Sequence, residues 1–154
     1  MGIYLFETEL LREVLYAHNK EDLDFGHHII PHLIENTTKQ VYAYKFNGYW
    51  QDVGTYDSYL QTNLDMICPE TELDLYDPTW KVFTKSEERP PVKLQETAIV
   101  KNSLLSNGCI IEGTVINSVL SPGVRVGKGT IIKDSIILND TIISENVSIE
   151  KCII

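Results

Sequence analysis

The sequence predicts two classes of structure in one chain: an α/β part over residues 1–90, a linking segment to 97, and a parallel β-solenoid over 98–154. Three observations carry this division. Eleven three-residue blocks recur after position 97, each opening on a small residue and closing on an aliphatic one, with closing residues four to six apart. All fourteen aromatic residues lie at or before Phe83, so the repeat contains none. Charge is one-sided as well: 98–154 holds five basic and five acidic residues, so the eight basic and seventeen acidic residues of 1–97 carry the whole net charge of −9.

The blocks run from Ala98-Ile99-Val100 through Ser103-Leu104-Leu105, Cys109-Ile110-Ile111, Thr114-Val115-Ile116 and Ser118-Val119-Leu120 to Cys152-Ile153-Ile154. Residues two apart on a strand face the same way, so the first and third of each block point inward and the middle one outward. Turn-forming Gly, Asn, Asp and Pro, with Lys and Glu, fill the gaps. Three such strands closing a triangle make one coil. The alternative, a sandwich of short strands, does not keep this register. The pattern resembles the hexapeptide repeat of left-handed parallel β-helices. Every third block shares a face, which predicts three outward rows: Ile99, Val115, Ile131 and Ser148; Leu104, Val119, Ile136 and Ile153; Ile110, Arg125 and Ile142. The second row has no polar member and is expected to be covered.

The first part opens on a strand-like run, Gly2-Ile3-Tyr4-Leu5-Phe6. Thr8 is placed to cap a helix with Leu10, Leu11, Val14 and Leu15 at helical spacing. Asp24 precedes a second helical run with Ile29, Ile30, Leu33 and Ile34, in which Pro31 is tolerated only near the start. Residues 40–46 alternate as a strand, Asn47-Gly48 signals a tight hairpin, and Tyr49-Trp50-Gln51-Asp52-Val53 returns. Gly54 breaks the run and Thr55 caps a helix over about 56–67. A short strand is expected at Lys81-Val82-Phe83-Thr84, and Pro90-Pro91 mark the approach to the repeat.

Composition narrows the function. The acidic balance argues against a basic nucleic-acid surface. No signal peptide or apolar run of membrane-spanning length is present, so the expectation is a cytoplasmic protein without a membrane partner. Cys68, Cys109 and Cys152 have no metal spacing; the latter two sit at small inward positions and read as core thiols.

Trp50 and Asp52 point to one face, and Gly54-Thr55 follow at the strand end, where ligands of α/β sheets bind. A carboxylate there suits Mg²⁺ beside a phosphate, and an indole suits a sugar; an Asp closing a strand before a capped helix is the plainer alternative. Asp24-Phe25-Gly26 is either a cap and turn or part of a site. His28 and His32 are four apart, as metal pairs are, but no Glu or Cys completes a signature, so a solvated helix face is expected. Gly127-Lys128-Gly129-Thr130 lacks the Gly of a phosphate loop, Pro122 standing there, and reads as a turn. All four histidines, His18, His27, His28 and His32, precede the repeat, which excludes a coil-borne acyltransferase base or zinc site.

Several stretches together resemble one family: Gly2-Ile3-Tyr4-Leu5-Phe6, Asp24-Phe25-Gly26 with Ile30-Pro31, Tyr49-Trp50-Gln51-Asp52-Val53-Gly54-Thr55, Leu73-Asp74-Leu75-Tyr76-Asp77 with Trp80, Pro90-Pro91, and Lys101-Asn102-Ser103 through Gly113-Thr114-Val115. In this order they are similar to bacterial glucose-1-phosphate adenylyltransferases. The resemblance implies a nucleotidyltransferase α/β domain followed by a left-handed β-helix. It implies ADP-glucose and pyrophosphate made from ATP and glucose 1-phosphate, with Mg²⁺ as cofactor. It places Asp52 on the metal and Gly2, Tyr4, Asp24, Phe25 and Trp50 around glucose 1-phosphate. A homo-oligomer assembled through the β-helix is implied too. The family's Gly-rich loop, second metal carboxylate and glucose-phosphate Lys are absent, and His27 and His28 replace other family residues. The chain is therefore expected to be a C-terminal portion, inactive alone, with a non-catalytic oligomerisation or regulatory module as the alternative.

Overall fold

The computed structural model describes residues 2–17, 24–36, 38–68, 70–85 and 87–154. They form two compact units, Met1–Asn47 and Gly48–Ile154. His18 and Met1 lie outside the described residues.

In the first unit, α1 (Thr8–Ala17) starts one residue earlier than a Thr8 cap requires. The Glu7 carbonyl accepts from the Leu11 amide at 3.0 Å, so Glu7 precedes the first turn and Thr8 lies inside it. Asp24 caps a π-helical turn, Phe25–Ile29, that runs into α2 (Ile30–Asn36). The Ile29 amide reaches back five residues to the Asp24 carbonyl at 3.1 Å. Pro31 explains the widening: it has no N–H for its own helical bond, and its ring crowds the preceding turn. Val14, Ile29 and Leu33 form a small buried cluster, flanked by Phe6, Leu10 and Phe25.

The strands expected in this part do not form. Residues 2–7, 38–54 and 81–85 carry no strand, and Asn47-Gly48 closes no hairpin. Ile3, Leu5, Tyr42 and Tyr44 are exposed accordingly. Alternation marks a strand that suits a half-buried face, but pairing supplies its backbone bonds, and a lone two-stranded hairpin is marginal in water.

In the second unit, α3 (Tyr56–Asp65) begins as expected at Thr55. The Thr55 hydroxyl accepts from the Ser58 amide and the Ser58 hydroxyl from the Thr55 amide, each at 3.1 Å. These reciprocal bonds satisfy two amides that a helix start leaves open.

The solenoid comprises β1 (Lys93–Leu94), β2 (Ile99–Lys101), β3 (Leu104–Leu105), β4 (Ile110–Ile111), β5 (Thr114–Ile116) and β6 (Val119–Leu120). It continues with β7 (Arg125–Val126), β8 (Ile131–Lys133), β9 (Ile136–Ile137), β10 (Ile142–Ile143) and β11 (Ser148–Glu150). All pairing is parallel, in three sheets: β1-β4-β7-β10, β2-β5-β8-β11 and β3-β6-β9. The β-helix architecture is thus present, and it starts one strand before the first block, with Val92 packed on the core.

Ile111, Val115, Leu120, Val126, Ile132, Ile137, Ile143 and Ile149 stack inward as one core. The predicted register fails at one place. Val115 is fully buried, and Thr114, not Val115, pairs with Ile99 and Ile131 on the outer row. The small inward residue of that block is Gly113. A Cβ there would stand 2.5 Å from the Thr130 carbonyl oxygen and 2.8 Å from that of Gly127, so only glycine fits. The corner between β4 and β5 is correspondingly short, and a notch of about 500 Å³ opens there beside Thr97, Glu112 and Lys128.

The row Leu104, Val119, Ile136 and Ile153 pairs in register as predicted. Ile136 is 1% exposed, whereas Ile142 on another row is 71% exposed. Leu104, Val119 and Ile153 are partly buried, so the all-apolar row is the best covered of the three.

At one corner the Ser103, Ser118 and Ser135 hydroxyls each bond back to the carbonyl two residues earlier. Each also accepts the amide of the equivalent residue one coil on: Ser118, Ser135 and Cys152. Asn102, Asn117, Asp134 and Lys151 precede them with positive φ of 43 to 50°, a conformation that Asn and Asp tolerate best. Cys109 is buried as expected, and burial pushes its thiol pKa up. Cys152 is exposed, contrary to the core-thiol expectation; its amide bonds back to Ser135 and its thiol donates to the Glu150 carbonyl at 3.1 Å.

Candidate functional site

The six residues implied by the resemblance fall into two groups, one in each unit. In the first unit, Tyr4 stacks on Phe25 with ring centroids 5.4 Å apart and planes 20° from parallel. Phe6, the other aromatic neighbour of Phe25, packs against it at 5.6 Å and a tilt of 55°. The small core thus fixes Phe25 from below, while Tyr4 is 41% exposed. Gly2 has no atom within 4 Å of where a Cβ would sit, so the backbone there borders open space.

Asp24 is exposed and accepts the His27 amide on Oδ1 at 2.6 Å. That bond holds its carboxyl below the ordinary aspartate range against the opposing effect of desolvation, with the His27 charge, the Gly26 amide and the His28 charge adding to it. The cap reading is therefore realised. Oδ2 has no hydrogen bond among the described residues, so capping and ligand contact are compatible. His27 and His28 lie edge-on at 6.4 Å. Among the described residues no three imidazole, thiol or carboxylate groups gather as a metal cluster.

In the second unit, Trp50 is half-exposed and Asp52 exposed on the extended run before α3. The Asp52 carboxylate oxygens lie 3.8 and 3.9 Å from where a Gly54 Cβ would sit, so Gly54 leaves them uncrowded. Asp52 makes no hydrogen bond or ion pair among the described residues. Mg²⁺ is usually held by one or two carboxylates together with substrate phosphates and water, and a free, uncrowded carboxylate fits as one such ligand. Tyr49, just before, donates to Asp65 Oδ2 at 3.3 Å; burial and then the Asp65 charge push its phenol pKa up. This bond ties the Trp50–Asp52 run to the end of α3. Sequence reasoning had not singled out Tyr49, whose only signal is its place beside Trp50.

No helix among the described residues is long and apolar enough to cross a membrane.

Two family models match the chain. Residues 1–67 match the family model described as nucleotidyl transferase, and 90–154 match that of the GlmU-like C-terminal hexapeptide. The chain thus combines a stretch of a nucleotidyltransferase with a hexapeptide solenoid, which places the strandless first part in an α/β class. Glucose-1-phosphate adenylyltransferase of Acetivibrio thermocellus is 45% identical over all of the chain and 37% of its own length. That of Thermosipho melanesiensis is 49% identical over 86% of the chain and 32% of its length. That of Desulforamulus reducens is 39% identical over all of the chain and 39% of its length. The chain is similar to glucose-1-phosphate adenylyltransferases along its whole length, and it spans little more than a third of the curated relatives it matches.

Proposed function

We propose that the chain is a C-terminal portion of an enzyme that transfers the adenylyl group of ATP to glucose 1-phosphate, giving ADP-glucose and pyrophosphate. The observation that carries this reading is the similarity over the full chain to proteins of that name, a span that contains the stretch from Trp50 to Thr55. In this reading Tyr4 and Phe25 offer an apolar wall to the glucose ring, and Gly2 leaves room for the sugar against the backbone. Asp24 contributes its free oxygen to a sugar hydroxyl, and Trp50 flanks the ring. Asp52 is a ligand of Mg²⁺, which when bound offsets phosphate charge as the phosphate of glucose 1-phosphate attacks the α-phosphorus and pyrophosphate leaves. The domain boundaries proposed are 1–90 with a linking segment to 97, then 98–154. Assembly through the β-helix and a cytoplasmic setting complete the proposal.

The chain alone supplies one metal carboxylate and part of a sugar site. Because positioning and charge stabilisation need the complete constellation, it is proposed to be inactive by itself. The purified 154-residue chain, given ATP, glucose 1-phosphate and Mg²⁺, should release no pyrophosphate. In a full-length relative of matching sequence, the substitution equivalent to Asp52→Asn should lower kcat at least a hundredfold with an unchanged melting temperature. An unaltered kcat at saturating Mg²⁺ would return Asp52 to a structural role. The second reading is a non-catalytic oligomerisation or regulatory module; a lack of glucose 1-phosphate binding even at millimolar concentration would support it.

A further inference from the structure

Arg89 lies just before the solenoid, and its side chain runs along the corner that joins the β3-type strands to the β4-type strands. Its guanidinium forms a two-point ion pair with Asp140, at 2.5 and 3.0 Å, fifty-one residues away. A second carboxylate, Glu87, accepts from the same group at 2.8 to 2.9 Å. The path is built into the coils. Gly108, Gly123 and Asp140 occupy equivalent corner positions with positive φ of 81, 79 and 57°. A Cβ on Gly108 would meet Arg89 Cδ at 3.0 Å, and one on Gly123 would fall onto Arg89 Nη1 and Asp140 Oδ1. Two successive coils thus drop their side chains where the arginine lies. Below it the Gly108 amide donates to the Pro90 carbonyl at 2.7 Å, the first rung joining the lead-in to the coils.

We propose that Arg89 is a latch. It ties the lead-in segment 87–91 along the solenoid axis to the corner at Asp140, so that the direction in which the chain enters the β-helix is set by the coils. Releasing the latch frees the lead-in while the coils stay folded. The ion pair is nonlocal and joins only these two places, whereas every coil keeps its own backbone ladder. The observed charge distribution agrees: Asp140 is held below the ordinary aspartate range, first by the hydrogen bonds from Arg89, and Arg89 is raised by Asp140 ahead of Glu87.

Amide hydrogen exchange on the 154-residue chain tests this. Asp140→Asn and Arg89→Gln should each speed exchange at Gly108 at least tenfold. The double variant should add little. The amides of Val119 and Ile131, which donate to the Ser135 and Val147 carbonyls inside the ladder, should keep their rates. Unchanged Gly108 exchange in both single variants overturns the latch. Equal acceleration at Val119 and Ile131 also overturns it, because the pair would then serve overall stability. A second measurement separates the trench from backbone strain. Gly123→Ala carries the same positive-φ strain with or without Arg89, so it should accelerate Gly108 exchange more in the parent chain than in the Arg89→Gln chain. Additive effects would show that the glycine does not serve the arginine.

Discussion

The solenoid and the part that precedes it contain comparable patterning, yet only one of them turns its pattern into strands. Between Lys93 and Glu150 each two- or three-residue strand finds its partner one coil away, fifteen to seventeen residues along the chain. Runs such as 2–7 and 38–54, longer and rich in aromatic and aliphatic residues, pair with nothing among the described residues. The lesson concerns where hydrogen-bonding partners come from. A coil of a solenoid brings its neighbour with it, so local sequence is enough. A strand of an α/β sheet needs partners from distant sequence, and alternation by itself cannot provide them.

The contrast should be sharpest for side-chain truncation. Ile132 is fully buried in the stacked core, and Ile132→Ala should cost about 2–5 kcal/mol in urea unfolding of the solenoid. Leu5 is fully exposed, and Leu5→Ala should change stability by less than about 0.5 kcal/mol. Equal effects would mean that the two regions are packed alike.

The shortened corner is the next most sensitive place. Gly113→Ala forces a methyl against the Thr130 and Gly127 carbonyl oxygens, and a loss of about 1–3 kcal/mol is expected by thermal or urea unfolding. A neutral result would show that this corner can open without cost. The serine ladder follows. Ser118→Ala removes the acceptor of the Ser135 amide inside the corner, with an expected loss of about 1–2 kcal/mol. Ser118→Thr, which keeps the oxygen, should recover part of that loss if the methyl is accommodated.

The smallest expected effect lies in the first unit and depends on pH. Asp24 has a lowered pKa because its ionised carboxylate accepts the His27 amide. A group with a depressed folded pKa stabilises the helix above its unfolded value and loses that contribution as pH falls through the folded one. The His27 amide should therefore shift in NMR spectra as acid is added, with a midpoint below the ordinary aspartate range, while the amides of β8 and β9 stay in place at that midpoint. A midpoint at or above the ordinary range would show that the cap does not hold in solution.

Much of this was legible in the residues. The repeat of small and aliphatic positions named the solenoid and most of its core, and the lack of polar residues at Leu104, Val119 and Ile136 marked the covered row. Thr55 announced its cap because the donor and acceptor lie three residues apart. Trp50 and Asp52 were singled out by motif, and they lie exposed on an extended run, where their proposed roles depend on groups that local sequence does not bring to them. Where the signal was ambiguous, reading failed for a physical reason. Val115 and Ile116 are equally aliphatic, so composition could not reveal which one turns inward; the close approach of the Thr130 carbonyl to Gly113 decided it.

The sequence by itself determined that residues 98–154 would coil, because each strand's partner is encoded at nearly constant spacing and inward positions must be small or aliphatic to fill a narrow core. It also carries the similarity to glucose-1-phosphate adenylyltransferases, through motifs that need no folding to be read. Tertiary structure alone decided the register at Gly113, the widened turn ahead of Pro31 and the path of Arg89 to Asp140. Each of those depends on atoms brought together from different turns or distant residues, at distances that steric exclusion and electrostatics resolve and a one-dimensional pattern does not.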